Sequence, residues 1–335
     1  MEEEMVKRIW SSNKNVESFV VIFLSMLVMF ISAASIDINL LGIFLLPIPI
    51  MLLCLKFSWK ISVLIIGISS VINIFTYGVS GTLSAILVTA IIGITFAYCI
   101  ENEFSSVNIV KTVIAISFVL LILNVLLYTS INNVSIVEHL NKIVKLLKDE
   151  IDNMIITYKQ VGVGNSNIDI LVNFKDFIDV KVVLGIIPTM ILGYCIVFNT
   201  INYVIIEKLL RNSNIKPIKK VGFRHFYISN LLGALLVGLV SIAVILNVKK
   251  FAIGEFLELS LISITDIIMI INGMATITYL LRKKLKKSRG LVIVILLLLI
   301  NLGFQQILFY IGFTEMLFDF RRLDPYSLRK KKKEV

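Results

Sequence analysis

Asp266 lies in the middle of an apolar stretch that runs from Leu257 to Leu281, with Ser263 one helical turn before it and Gly273 two turns after, on nearly the same face. A carboxyl group in such a place either contacts a cation or polar solute or holds a neighbouring helix by a hydrogen bond, and the residue types leave both readings open. Asn272 stands beside Gly273 on the same run. Asn199 and Asn202 follow Cys195 at steps of four and three in another apolar run. Side-chain amides at that spacing suit a ligand, but they more often join helices. Near the C-terminus, Asn301, Gln305, Leu308, Gly312, Glu315 and Asp319 follow steps of 4, 3, 4, 3 and 4. That rhythm predicts one polar stripe on a continuous helix facing protein or water, with Asp319 placed to pair with Arg321, Arg322 or another cytoplasmic base.

Covalent catalysis finds little support. The stretch GVSG, Gly78 to Gly81, has the GxSG form of intramembrane serine proteases, yet a serine nucleophile needs a base within hydrogen-bond reach. The only histidines, His139 and His225, fall outside the apolar runs, so a tight glycine turn between two helices is the better reading. GVGNSN, Gly162 to Asn167, lacks the lysine and the preceding strand of a phosphate loop and reads as a turn into a short helix. Cys54, Cys99 and Cys195 sit in apolar runs without ligand or disulfide spacing and are expected to be buried packing residues. No enzyme activity, metal or cofactor is expected.

The elements that must position these groups follow from composition. The chain has 335 residues, of which 58% are hydrophobic, and a mean hydropathy of +0.94. A soluble domain is about 45 to 50% apolar, so the lipid bilayer is the expected surrounding. The net charge of +11 is gathered in short segments between apolar runs, which marks membrane topology and not a nucleic-acid face.

Spans are expected at 18–35, 39–55, 61–77, 82–100, 110–129, 182–206, 227–248 and 257–281, with a ninth run at 291–318. Lys7, Arg8 and Lys14 place the N-terminus in the cytoplasm, and a cleaved signal peptide fits less well because the first run is long and the next begins almost at once. Pro47 and Pro49 are expected to interrupt the second span. Residues 131–181 form an outer insertion, where Ile136, Leu140, Ile143, Leu147, Ile151, Met154 and Tyr158 predict an amphipathic helix on the membrane face or capping the bundle. Small pairs, Gly93 with Ala97 and Ala234 with Gly238, predict close helix contacts. Glu255 and Glu258 read as solvated interface residues. Basic segments flank the ninth run on both sides, so it either is re-entrant, bending near Gly303, or crosses and carries its basic tail outside. The tail, 319–335, is assigned to the cytoplasm.

Several of these stretches together resemble the YybS-like family of bacterial multi-pass membrane proteins. Gly312, Glu315, Phe318, Asp319, Phe320 and Arg321 in IGFTEMLFDFRRL match its terminal pattern, and INGMATITYLLRKK is similar to a family segment that carries Gln where this chain has Asn272. LLPIPIMLLCLKFSWK and IIPTMILGYCIVFNTINYVIIEKLLR fall in the order of that family. It is in turn distantly similar to the substrate-binding subunits of energy-coupling-factor transporters. The resemblance implies a bacterial inner-membrane protein without an established activity.

The expectation is therefore an all-α, polytopic transmembrane helix bundle of eight or nine spans, forming a single integral membrane domain over 1–335. It would act as a small-solute binding or transport subunit, with Asp266, Asn272, Asn301, Gln305, Asn199 and Asn202 lining a polar interior. The alternative is a membrane scaffold or regulator that binds lipid or a protein partner through its basic loops and tail.

Overall fold

A computed structural model describes residues 2–34, 46–57, 59–133, 135–161, 165–212 and 218–324. Among them the elements are helices joined by turns and loops, with one isolated bridge, between Ser105 and Lys219. The chain divides into two compact units, Met1–Val134 with Tyr194–Val221, and Ser135–Gly193 with Gly222–Val335.

The first unit contains α1 (Glu2–Ala34), α2 (Pro47–Lys56), α3 (Trp59–Ala85), a π-helical segment Ile86–Ile91, α4 (Ile92–Glu101), α5 (Ser106–Asn132) and the second half of α8 (Val180–Asn212). Pro47 and Pro49 stand in the first turn of α2, where a missing N–H costs nothing because that group has no intrahelical partner. Residues 39–45 of the expected second span lie outside the described residues. Met29, Ile50, Met51, Phe96, Ile109, Phe198 and Ile206 form one core. Small residues set the approach of the helices: a Cβ added at Gly81 would stand 2.8 Å from the Ala33 carbonyl, and one at Gly93 would stand 2.7 Å from the Pro47 carbonyl. Asn73 Nδ2 donates to the Met29 carbonyl at 3.0 Å, joining α3 to α1. Gly78, at φ 72°, breaks α3 within the GVSG stretch, as expected of a glycine turn. All three cysteines are free and buried.

The second unit contains α6 (Ile136–Gln160), α7 (Asn165–Phe177), the first half of α8, a 3₁₀ turn Phe223–His225, α9 (Asn230–Val248), α10 (Gly254–Tyr279), a π-helical segment Leu280–Lys284, α11 (Arg289–Asn301) and α12 (Gln305–Phe318). Ser135 caps α6 by accepting from the Glu138 N–H. Its Val144, Ile151 and Ile155 pack with Ile168 and Ile178, and Lys175 reaches Asp152 at 2.6 Å. Ser260 Oγ of α10 donates to the Gly185 carbonyl of α8 at 2.9 Å. Gly233, not the pair Ala234 and Gly238, makes the close contact of α9, meeting the side chain of Met316, while nothing lies within 4 Å of a Cβ at Gly238.

Among the described residues, six helical stretches are long and apolar enough to cross a membrane: Glu17–Ala34, Trp59–Glu101, Ser106–Asn132, Val180–Arg211, Asn230–Val248 and Gly254–Lys284. Trp59–Glu101 has 43 residues, about 65 Å of helix, roughly twice a hydrocarbon core of about 30 Å. The segments 61–77 and 82–100 both fall on it. α2, with 10 residues, is too short to cross by itself.

The final run differs from the continuous helix that its polar rhythm predicts. α11 and α12 bend by 114° at Gly303, whose φ is +80°. The Phe304 N–H donates to the Leu299 carbonyl at 3.0 Å, the wrapped closure of a Schellman end, which glycine in the left-handed region permits. Asn301 therefore ends one helix and Gln305 starts another.

Candidate functional site

α10 and α12 approach closely because both carry glycine where they cross. A Cβ at Gly273 would collide with the Leu308 carbonyl, and one at Gly312 with the Met269 carbonyl. This brings Asn272 to α12, where its Nδ2 donates to the Gly312 carbonyl at 2.8 Å. One turn further along α12 is Glu315, only 3% exposed. The helix then ends at Asp319, in the left-handed conformation with φ 43°, and the chain turns back.

That reversal delivers Arg321 into the packed end of the unit. Its Nε donates to Glu315 Oε1 at 2.8 Å, and its backbone N–H donates to the same oxygen at 3.1 Å. Nη2 donates to Asn272 Oδ1 at 2.9 Å. Nη1 donates to the carbonyls of Arg224 at 3.1 Å and Phe226 at 2.9 Å. One guanidinium fork thus ties α10, α12 and the turn before α9 together. Glu315 Oε2 remains buried without a hydrogen-bond partner.

Asp319 does not pair with Arg321 or Arg322. Its Oδ1 accepts from the Leu323 N–H at 2.8 Å and its Oδ2 from the Asp324 N–H at 3.3 Å, which supports a backbone conformation that non-glycine residues seldom adopt. Asp324 in turn accepts the Asn230 N–H at 2.8 Å. A carboxylate there meets the unpaired donors and positive end of α9. Of the terminal pattern, Gly312, Glu315, Asp319 and Arg321 are buried, while Phe318 and Phe320 are exposed and stack on each other at 5.6 Å between centroids.

The remaining sequence-selected residues do not join this network. Asp266 is half-buried at the centre of α10 and has no hydrogen bond or ion pair among the described residues. Asn301 and Gln305 are exposed, and Asn301 Nδ2 bonds the Leu297 carbonyl of its own helix at 2.9 Å. Asn199 and Asn202 belong to the first unit and are fully buried. Each donates to a carbonyl one turn back, Cys195 at 2.9 Å and Phe198 at 3.0 Å, not to another helix, and each leaves its Oδ1 without a partner. Glu258 accepts from Asn247 Nδ2 at 2.7 Å and Glu255 pairs with Lys181 at 3.2 Å, so both are partnered at the end of α10. No group of three metal-binding side chains occurs among the described residues.

Arg321 and Asp324 are the residues that sequence spacing underrates. Both lie beyond α12, and their partners come from α9, α10, α12 and the turn at Arg224. No curated protein and no solved structure matches the chain. A family model matches residues 19–316, which takes in Asn272, Gly312 and Glu315 and stops short of Asp319. The chain therefore belongs to the family described as predicted membrane protein (DUF2232).

Proposed function

We propose that this protein is a non-catalytic, small-solute binding or transport subunit of a bacterial cell membrane, with Asp266 at the solute contact. One observation carries the reading. Asp266 stands at the midpoint of a membrane-length helix with no hydrogen bond or ion pair among the described residues, whereas Glu315 of α12 and Asp319 at the end of α12 are engaged. A carboxylate at that depth costs several kcal/mol unless it faces a cation, a polar solute or water. The similarity to the YybS-like family and the basic loops support a chain that passes eight or nine times with a cytoplasmic N-terminus, the helices 61–77 and 82–100 counting separately across Gly78.

A second reading, a membrane scaffold or regulator, is favoured by the Arg321 network. Asn272 has both ends of its amide engaged, by Gly312 and Arg321, so it serves as a structural tie. The tail residues Lys330 to Lys333, which this reading would use against anionic lipid, lie outside the described residues.

The test is a thermal-stability screen of the detergent-purified protein against vitamins, nucleobases, amino acids and metal ions. A ligand at about 100 times its Kd adds about 2.7 kcal/mol of apparent stability. A shift that disappears in a folded Asp266→Asn variant supports the solute reading. Absence of any shift across the panel, or a shift that survives Asp266→Asn, overturns it in favour of the scaffold.

A further inference from the structure

The α6–α7 hairpin uses only part of its apolar surface to hold itself together. Val144, Ile151 and Ile155 of α6 face Ile168 and Ile178. Beside them on α6 runs a second row, Ile143, Leu147 and Met154, one turn and then two turns apart. On α7, Ile170, Phe174 and Phe177 recur at helical spacing. All six are exposed, Ile170 at 64% and Phe177 at 65%. The opposite face of α6 carries Lys142, Lys145 and Asp149, also exposed.

Chain continuity says what this face meets. α7 ends at Phe177 and α8 begins at Val180, and Val180–Arg211 is a membrane-length helix. Two intervening residues reach at most about 11 Å. On the other side, α5 ends at Asn132 and α6 starts at Ile136, and α5 is membrane-length too. The short tethers keep both ends of the hairpin at the interfacial layer, which adds roughly 5 to 7 Å on each side of the hydrocarbon core.

We propose that the α6–α7 hairpin is a monotopic anchor that lays the Ile143–Leu147–Met154 row and the Ile170–Phe174–Phe177 row into the headgroup and acyl boundary of the same membrane. The charged row with Lys142 and Lys145 points to water. An amphipathic helix in this setting sinks its apolar face about 5 to 10 Å into the boundary. The proposal is independent of any solute at Asp266.

The experiment uses the full chain in phospholipid vesicles with a single environment-sensitive fluorophore at Leu147→Cys, Phe174→Cys, Phe177→Cys or Lys145→Cys. Each of these side chains is exposed, so the replacements spare the core, and unsubstituted protein reports any labelling of the three buried native cysteines. Nitroxide lipids labelled near the headgroup should quench the first three positions several-fold more than Lys145→Cys, and aqueous iodide should show the reverse order. Equal iodide quenching at all four positions would overturn the proposal and leave the face in water. Protection of the three apolar positions from both quenchers would overturn it in favour of a protein cover, such as a second copy of the chain.

Discussion

Arg321 and Glu315 meet as a buried ion pair, Nε to Oε1 at 2.8 Å, with side chains 1% and 3% exposed. Removing one member of such a pair strands the other and costs about 3 to 5 kcal/mol. Arg321→Met is therefore expected to lower the unfolding free energy in detergent by that amount. Arg321→Lys keeps the charge but lacks the fork that reaches Asn272 and two carbonyls, and should recover less than half of the loss. In Glu315→Met/Arg321→Met the two losses should be less than additive, and strict additivity would show that the pair is not coupled.

Gly273 and Gly312 control the approach of α10 to α12. Gly273→Ala and Gly312→Ala each place a methyl group against a backbone carbonyl, and overpacking costs about 1 to 3 kcal/mol. Gly238→Ala meets nothing within 4 Å and should be neutral or stabilise by up to about 1 kcal/mol, since alanine is the better helix former. Chemical denaturation of the three variants side by side checks the contrast. Equal effects would mean that the crossing is not held by these glycines.

Gly303 holds the bend between α11 and α12 at φ +80°. Space is not the constraint, because nothing lies within 4 Å of an added Cβ. Gly303→Ala should cost about 1 to 2 kcal/mol from the left-handed backbone alone, and Gly303→Asn should cost less. Measured unfolding free energies in which alanine equals or exceeds asparagine in stability would contradict this account.

Asn73 provides a side-chain tie between α1 and α3 in the first unit. Its replacement by Leu removes the donor to Met29 while keeping the volume, and hydrogen bonds between membrane helices average about 0.6 kcal/mol with a maximum near 1.7. A loss in that range is expected, read by resistance to unfolding in detergent. Ser70→Ala is the control, because Ser70 bonds only its own helix at the Ile66 carbonyl, 2.8 Å away.

The hairpin α6–α7 was legible from spacing because its information is local. Three- and four-residue steps define the apolar face of α6, and α7 begins at Asn165 within the GVGNSN stretch, although Gly162 to Gly164 lie outside the described residues. The apolar runs were legible for the same reason, as lipid-length helices need no partner to be recognised. Their count was less so. Two expected spans share Trp59–Glu101, and helix length by composition does not say where a kink divides one crossing from the next.

The polar stripe from Asn301 to Asp319 shows where such reading fails. Step counting assumes an unbroken helix, and Gly303 breaks it, so Asn301 leaves the face on which Leu308, Gly312 and Glu315 are buried, while Gln305, in the first turn of α12, is exposed. Composition and periodicity by themselves determined the membrane class, the helical elements and the glycines and amides worth inspecting, because these depend on neighbours within two turns. The tertiary structure alone decided that Arg321 pairs with Glu315, that Asp319 holds a turn, that Asp324 accepts the first N–H of α9 and that Asp266 has no partner among the described residues. The contacts of Arg321 with Asn272, Arg224 and Phe226 and of Asp324 with Asn230 join segments tens of residues apart, and those with Glu315 and within the Asp319 turn form only because the chain reverses after α12; no helical period encodes either.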